Sequence, residues 1–79
     1  LNGEYEIIEA EIIETSELIN KELKNSNLPD DIRVGAILRD EEVIIPRSNF
    51  KFKKEDIVVL LAKKDCLNVV ENMFRISST

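Results

Sequence analysis

The 79 residues are enough for one domain, 1–79, with a thin hydrophobic core. The chain is 43% apolar and its charged residues are mixed in sign, which argues against disorder. The net charge of −5, with no basic stretch that carries stacking aromatics, argues against nucleic acid as a partner. We interpret the one basic cluster, Lys51, Lys53 and Lys54, as a solvated edge or turn.

The sequence contains neither a signal-peptide pattern nor an apolar run near the ~20 residues that cross a bilayer. Cys66 is the only cysteine, so an intrachain disulfide is excluded and a reducing, intracellular location fits. The chain opens at Leu1 rather than Met, and we therefore expect it to be a piece of a longer protein.

The first predicted element is a strand from Tyr5 to Ile13. Its apolar and acidic side chains alternate with period two, as in a half-buried strand, with Ile8, Ala10 and Ile12 on one face.

A helix is predicted from residue 17 to about residue 24. Thr15 or Ser16 can cap it with a hydroxyl, and Glu17 suits the positive end of its dipole. The Asn-Ser-Asn sequence at 25–27 tolerates left-handed backbone and is expected to end the helix.

Two strands joined by a tight turn are predicted next, as a β-hairpin. The first strand, Ile32 to Arg39, has Ile37 and Arg39 on the face opposite Ile32. Residues 40–42 make the turn, and residues 43–45 form the second strand, which Pro46 ends. Gly35 inside the first strand indicates a bulge or a close backbone approach.

The last third contains a short extended piece, a strand and a helix. Phe50 and Phe52 share a face of the extended piece, and residues 57–62 are predicted as a strand buried on both faces. Asp65 is the expected N-cap of a helix over 66–74, and residues 76–79 are expected to fray.

These elements predict a small α+β domain of order β-α-β-β-β-α. We expect one mainly antiparallel sheet with two short helices packed against it. A core this thin favours a dimer.

The residues predict no catalytic site, metal site or cofactor site. There is no histidine, which excludes Ser-His and Cys-His arrangements, and no nucleophile–base pair is evident. The glutamates of the first strand and the acidic turn at 40–42 are cation-site alternatives, but a solvated face and a hairpin turn explain them. Two glycines are too few for a dinucleotide fingerprint.

The ordered combination of several segments resembles the TrkA C-terminal family, the C-terminal subdomain of RCK (regulator of potassium conductance) proteins. The segments are Ser16-Glu17-Leu18, Leu28-Pro29, IRVGAILRDEEVIIP at 32–46, KKEDIVV at 53–59 and the helix at 67–74. The family often has Gly in place of Asn20, in the hairpin turn at 40–42 and in place of Glu55.

The resemblance implies a cytoplasmic regulatory domain that senses a ligand, forms a homodimer and modulates a membrane potassium-translocating subunit. The domain would lie at the inner face of the membrane through that partner. NAD binding is implied only for an N-terminal domain outside this chain.

The resemblance also implies a ligand site for a small anion such as cyclic di-AMP. The matching positions are Ile37, Arg39, Ile45, Pro46 and Arg47. Arginines at strand ends are also commonly paired with a carboxylate, and Glu41 and Glu42 are candidates for Arg39.

Two alternatives stay open beside ligand sensing in potassium transport. One is a purely structural dimerisation or docking module, indicated by apolar residues on nominally outer faces at 7, 13, 37 and 44. The other is a cyclic di-AMP-binding domain of another cation transporter. An enzyme is not expected, because no constellation of catalytic groups is present.

Overall fold

Five strands form one antiparallel sheet in the computed structural model, which describes residues 4–76. Their spatial order is β3-β2-β4-β1-β5, so β4 pairs with β1 on one side and with β2 on the other. The strands are β1 (Tyr5–Glu11), β2 (Ile32–Arg39), β3 (Glu42–Ile44), β4 (Ile57–Lys63) and β5 (Arg75–Ile76).

One α-helix, α1 (Leu67–Met73), follows β4, and a 3₁₀ helix, Lys64–Cys66, leads into it. A second 3₁₀ helix, Leu23–Asn25, lies between β1 and β2. The α+β class and the antiparallel sheet are confirmed, with one α-helix in place of the predicted two. No helix within the described residues is long and apolar enough to cross a membrane.

The core lies on one face of the sheet. Alternate residues of β1, β2 and β4 point into it, as period-two sequences require. The chain that connects the strands, together with α1, covers this face with Ile12, Leu18, Phe52, Val70 and Phe74, all buried. The sheet residues of the core are Ile8, Ala10, Ile32, Ile37, Val58, Leu60 and Ala62.

The prediction of a helix from residue 17 to residue 24 is wrong, since only the 3₁₀ helix Leu23–Asn25 forms in this part of the chain. Asn20 has a φ of 67°, which breaks any right-handed helix, and its N–H donates to the Phe52 carbonyl at 2.8 Å. The N–H of Leu23 likewise donates to the Phe50 carbonyl at 2.8 Å. The backbone N–H groups that would form the hydrogen bonds of a helix therefore bond to residues 50–52 instead.

The predicted capping hydroxyl and the predicted left-handed backbone at 25–27 are both found, although no α-helix lies between them. The Ser16 hydroxyl accepts a hydrogen bond from the Leu18 N–H at 3.1 Å, although the turn it caps does not continue as a helix. Asn27, with a φ of 58°, adopts the left-handed backbone that was predicted for 25–27.

A bulge in β2 corrects the predicted faces of that strand. The β2–β4 register shifts between Val34 and Ala36, so Gly35 is the extra residue, as one of its two interpretations predicted. The shift reverses the alternation and turns Ile37 inward, opposite the buried Val58. Ile37 and Ile32 therefore share the core face, contrary to the prediction.

Three further predictions change in the second half of the chain. Only one face of β4 is fully buried, since Ile57, Val59 and Leu61 are partly exposed. Asp65 belongs to the 3₁₀ helix and does not cap α1. Ile76 pairs with Ala10 in β5 instead of fraying, and the rest of the expected tail, 77–79, lies outside the described residues.

Candidate functional site

The stretch 45–47 leaves the end of β3 on the molecular surface. Ile45 is 73% exposed and Arg47 is exposed, whereas Pro46 is half-buried. These three of the five predicted ligand residues are adjacent in the chain and at least partly exposed to solvent.

Ile37 lies apart from them in accessibility. Its side chain is fully buried in the core, because the bulge at Gly35 turns it inward. A ligand at the surface has no Ile37 side chain to contact in this conformation.

Arg39, the fifth predicted residue, forms an ion pair with Asp56. Its Nε donates to Asp56 Oδ1 at 2.7 Å and its Nη2 donates to Oδ2 at 2.7 Å, the bidentate geometry that suits guanidinium and carboxylate. The Asp56 side chain is 1% exposed and that of Arg39 is 22% exposed. The carboxylate partner of Arg39 is therefore Asp56, and neither Glu41 nor Glu42.

Further contacts build this ion pair into the fold. The N–H of Lys53 donates to Asp56 Oδ2 at 2.8 Å, and Arg39 Nη2 also donates to the Lys51 carbonyl at 3.0 Å. The guanidinium carbon lies 4.8 Å from the centre of the Phe50 ring. The end of β2 is thus fixed to the chain that precedes β4.

The electrostatics of the pair favour the charged guanidinium. The hydrogen bonds to Asp56 raise the pKa of Arg39 above its ordinary value, and partial burial opposes this shift without cancelling it. Arg39 is a permanent cation that neutralises a buried carboxylate.

Two stretches of chain pair beside this site, 20–24 and 48–52. The N–H of Phe52 donates to the Lys21 carbonyl at 3.1 Å, and the N–H of Lys24 donates to the Ser48 carbonyl at 2.9 Å. Glu22 and Lys51 form an antiparallel bridge between them. Phe50 and Phe52 pack edge to face with ring centres 5.6 Å apart, which confirms that they share a face.

Asp56 is the residue that sequence reasoning missed. Leu38 of β2 pairs with Ile57 of β4, so Arg39 and Asp56 are the next residues along an antiparallel register. The signal is a carboxylate directly before an apolar strand, but its partner is visible only when the β2–β4 pairing is known.

Two of the hollows on the surface of the described residues bear on the predicted ligand site. One of about 220 Å³ adjoins the ion pair and is lined by Arg39, Asp40 and residues 53–56. The other, of about 460 Å³, lies between residues 13–18 and residues 71–74, and none of the five predicted ligand residues lines it. Within residues 4–76, no group of three or more Cys, Asp or Glu side chains is arranged to hold a metal ion.

Two potassium uptake proteins are similar to this chain in sequence. The chain is 39% identical over 98% of its length to the Trk system potassium uptake protein TrkA of Azorhizobium caulinodans. It is 36% identical over 81% of its length to the TrkA homolog of Archaeoglobus fulgidus. It spans only 17% and 15% of these two relatives.

A solved structure has the same fold. The structure described as "Structure of RCK domain with cda" superposes with a TM-score of 0.77 at 19% identity, covering 87% of this chain and 97% of that one. The TrkA-C domain profile matches residues 7–75, nearly the whole chain. The chain therefore belongs to the TrkA-C domain family.

Proposed function

We propose that this chain is a regulatory domain of a potassium transport system. It acts at the inner face of the membrane by modulating a membrane subunit that translocates potassium. The observation that carries this proposal is membership of the TrkA-C family across residues 7–75, together with relatives that are potassium uptake proteins. NAD binding, where the parent protein has it, belongs outside these residues.

The domain also acts as a homodimer through the outer sheet face, by which we mean the sheet face opposite the core. Strand register places Ile7 beside Leu61, and Leu38 between Ile57 and Val43, all on this face. Ile7 and Val43 are 69% and 67% exposed, and the residues between them are partly exposed. Two such faces can pack about 10 Å apart as in a β-sandwich.

A small anionic ligand binds next to the stretch 45–47 and changes how the domain modulates the membrane subunit. Ile45 offers an exposed apolar contact and Arg47 an exposed guanidinium, the pair of groups that a nucleotide base and its phosphate require. A cyclic dinucleotide such as cyclic di-AMP has this chemistry. A symmetric ligand of this kind suits the two-fold axis of a dimer.

Domain replacement tests the regulatory role. The matching segment of the Azorhizobium relative is exchanged for this chain, and rubidium or potassium uptake is measured in transport-deficient cells. We expect the exchange to restore regulated uptake, whereas deletion of the segment abolishes regulation. A chimera that folds but behaves like the deletion contradicts the proposal.

Sedimentation equilibrium tests the dimer. Val43→Asp buries a charge at the proposed interface and is expected to give a monomer, because an unpaired charge is costly there. Lys64→Asp, exposed but outside the outer sheet face, is the matched control and is expected to leave the dimer intact. A wild-type chain that is monomeric at high concentration overturns the dimer.

The second candidate function is a structural dimerisation module without a ligand, which the exposed apolar residues of the outer sheet face favour. Thermal unfolding with cyclic di-AMP separates the two. A ligand at 100 times its dissociation constant stabilises the folded state by about 2.7 kcal/mol. An unchanged melting temperature in a dimeric protein favours the structural module.

A further inference from the structure

The hollow of about 460 Å³ has an apolar floor that the side chains of the domain leave uncovered. It lies between residues 13–18, which follow β1, and residues 71–74 at the end of α1, and is here named the α1 hollow. Its volume is within the range of about 300–1,000 Å³ that is typical of binding pockets. Ile13 and Met73 are half-buried on its floor, beside the buried Leu18 and Phe74.

The rim of the α1 hollow carries two carboxylates and no cation. Glu17 and Glu71, one from each wall, are exposed, and no Lys or Arg is among the residues that line the hollow. Neither carboxylate has a salt-bridge partner within residues 4–76. Arg75, one residue beyond the lining, pairs in register with Glu11 and lines a different hollow with it. Two unpaired negative charges therefore border the space that an occupant would enter.

Three other hollows on the described residues have linings of mixed charge. The one beside the Arg39 ion pair is lined by three cations and three carboxylates. One beside Glu14 is lined by three carboxylates and two cations, and one beside Pro29 by a single residue of each sign. Of these four hollows, the α1 hollow is the one whose charged lining has a single sign. Charge complementarity therefore selects a cationic occupant here.

The end of α1 adds to the negative potential of the hollow. A helix ends in backbone carbonyl groups that carry partial negative charge, and the last turn of α1 contains no basic residue that would offset it. The net charge of −5 on the whole chain attracts cations from a distance as well. The α1 hollow is thus suited to a cation that also has an apolar part.

We propose that the α1 hollow docks a basic segment of the membrane subunit, with a Lys or Arg side chain of that segment inside it. This inference rests on the regulatory role of the proposed function, for which it supplies a contact with the membrane subunit. Lys and Arg lay their apolar stems along apolar surface and keep their charged heads in polar surroundings. The stem lies along Ile13 and Met73, and the head reaches Glu17 or Glu71. The apolar floor favours a segment in which an apolar residue adjoins the cation.

A membrane protein presents such segments on the face where this domain acts. Its cytoplasmic loops carry an excess of Lys and Arg. A bare metal ion fits the α1 hollow less well, because within residues 4–76 no group of three or more Cys, Asp or Glu side chains is arranged to hold one. An apolar floor also offers a metal ion no ligand, whereas it stabilises the stem of a basic side chain.

Fluorescence anisotropy with short labelled peptides tests the docking site. The probe is a peptide in which arginine and leucine alternate, and its two controls have serine in place of leucine or glutamate in place of arginine. We expect the chain to bind the arginine–leucine peptide, to bind the arginine–serine peptide about tenfold or more weakly, and not to bind the glutamate peptide. Equal binding of both arginine peptides, or no binding of the first, overturns the proposal.

Charge reversal at the rim locates the binding. Glu17→Lys combined with Glu71→Lys is expected to weaken binding of the arginine–leucine peptide about tenfold or more. Glu41→Lys combined with Asp65→Lys makes the same charge change at exposed positions that do not line the α1 hollow, and is expected to change binding less than about twofold. Equal weakening in both variants would mean that the net charge alone attracts the peptide, and overturns the proposal.

The NMR signal of Met73 gives a measurement that does not depend on variants. Met73 is the only methionine, so a methionine methyl label gives a single signal from the floor of the α1 hollow. We expect this signal to move when the arginine–leucine peptide saturates the chain. A stationary signal while anisotropy shows binding places the peptide elsewhere and overturns the site. Movement that follows protein concentration without peptide would assign the hollow to a second copy and overturns the basic segment as its occupant.

Uptake measurements separate this inference from the regulatory role. In the chimera used for domain replacement, we expect Glu17→Lys combined with Glu71→Lys to abolish regulated uptake and the control pair to retain it. If the unmodified exchange restores regulation and the rim variant still regulates, docking at the α1 hollow is rejected and the regulatory role stands. If the peptide binds at the hollow and the unmodified exchange fails, the regulatory role is rejected, and with it the membrane subunit as the occupant, while the binding of basic segments stands.

Discussion

The sheet and the paired segments beside it, 20–24 and 48–56, are held by different forces. In the sheet, regular backbone ladders present alternate apolar residues to the core. In the paired segments, scattered backbone bonds, left-handed residues and one buried ion pair determine the shape. Both meet in one core, since Phe52 is as buried as Val58.

This difference shows where a candidate site can arise. Strand residues whose side chains are buried in the core, such as Ile37, cannot contact a ligand at the surface. The paired segments place five cations on the surface and use mostly backbone groups for their own stability. The surface chemistry of this domain is therefore concentrated where the structure is least regular.

The largest expected effect tests whether the paired segments belong to the same cooperative unit as the sheet. Phe52→Ala is expected to destabilise the domain by about 3–5 kcal/mol, because a fully buried aromatic side chain is replaced by a cavity. Urea unfolding gives the change in the free energy of unfolding.

Ile45→Ala is the control, since this side chain is 73% exposed and its loss should cost less than about 0.5 kcal/mol. Phe52→Leu covers the case in which the alanine variant does not fold. A Phe52→Ala effect below 1 kcal/mol, or a separate early transition, would show that the segments detach independently of the sheet.

The next effect concerns the ion pair that connects the two regions. Asp56→Asn is expected to cost about 2 kcal/mol, because Arg39 loses its carboxylate while 22% of its side chain remains in water. A double-mutant cycle with Arg39→Met measures the coupling, expected at about 1–2 kcal/mol. A coupling near zero would mean that packing alone fixes the segments.

The raised pKa of Arg39 gives this effect its pH dependence. A pKa that is higher in the folded state contributes stability below the unfolded pKa, and that stability is lost only as pH rises through the folded value. For arginine this window lies above about pH 12. The difference in unfolding free energy between wild type and Asp56→Asn should therefore not fall between about pH 7 and about pH 10.

Sequence periodicity predicts the sheet well and the paired segments poorly. Alternation in β1 identifies Ile8 and Ala10 as buried, because a strand sequence carries its own face assignment. Ile37 was misassigned because a bulge changes the phase without changing the pattern on either side. The Arg39–Asp56 pair depends on contacts between residues 17 positions apart, which local patterns do not encode.

The residues with left-handed backbone could be located from the sequence, but only through the family resemblance and not through local periodicity. Asn20, Asp40, Glu41 and Glu55 all have positive φ, between 51° and 74°. They coincide with the places where the TrkA-C resemblance led us to expect glycine. The resemblance thus located backbone geometry that the local sequence, with Glu at two of the positions, does not suggest.

Glu41→Gly and Glu55→Gly are each expected to stabilise the domain by about 1 kcal/mol or slightly less. The strain of a left-handed non-glycine residue, about 1–2 kcal/mol, is removed, and the extra backbone entropy of glycine offsets part of it. Thermal unfolding measures the gain. Glu42→Gly, in β3 without positive φ, is the matched control and should destabilise; a loss at 41 or 55 would contradict the strain argument.

The smallest expected effect concerns the turn at the start of the segment that was predicted as a helix. Ser16→Ala removes the hydroxyl that accepts the Leu18 N–H at 3.1 Å and is expected to cost about 0.5 kcal/mol, at the low end for a capping residue because no helix follows. Thr15→Ala is the control, because Ser16 is the residue of the two whose side chain makes this bond and Thr15 is exposed. Equal effects in urea unfolding would assign the stabilisation to local propensity. A larger loss for Ser16 would show that one short-range bond anchors the entry of the paired segments, where Leu18 joins the core of the sheet.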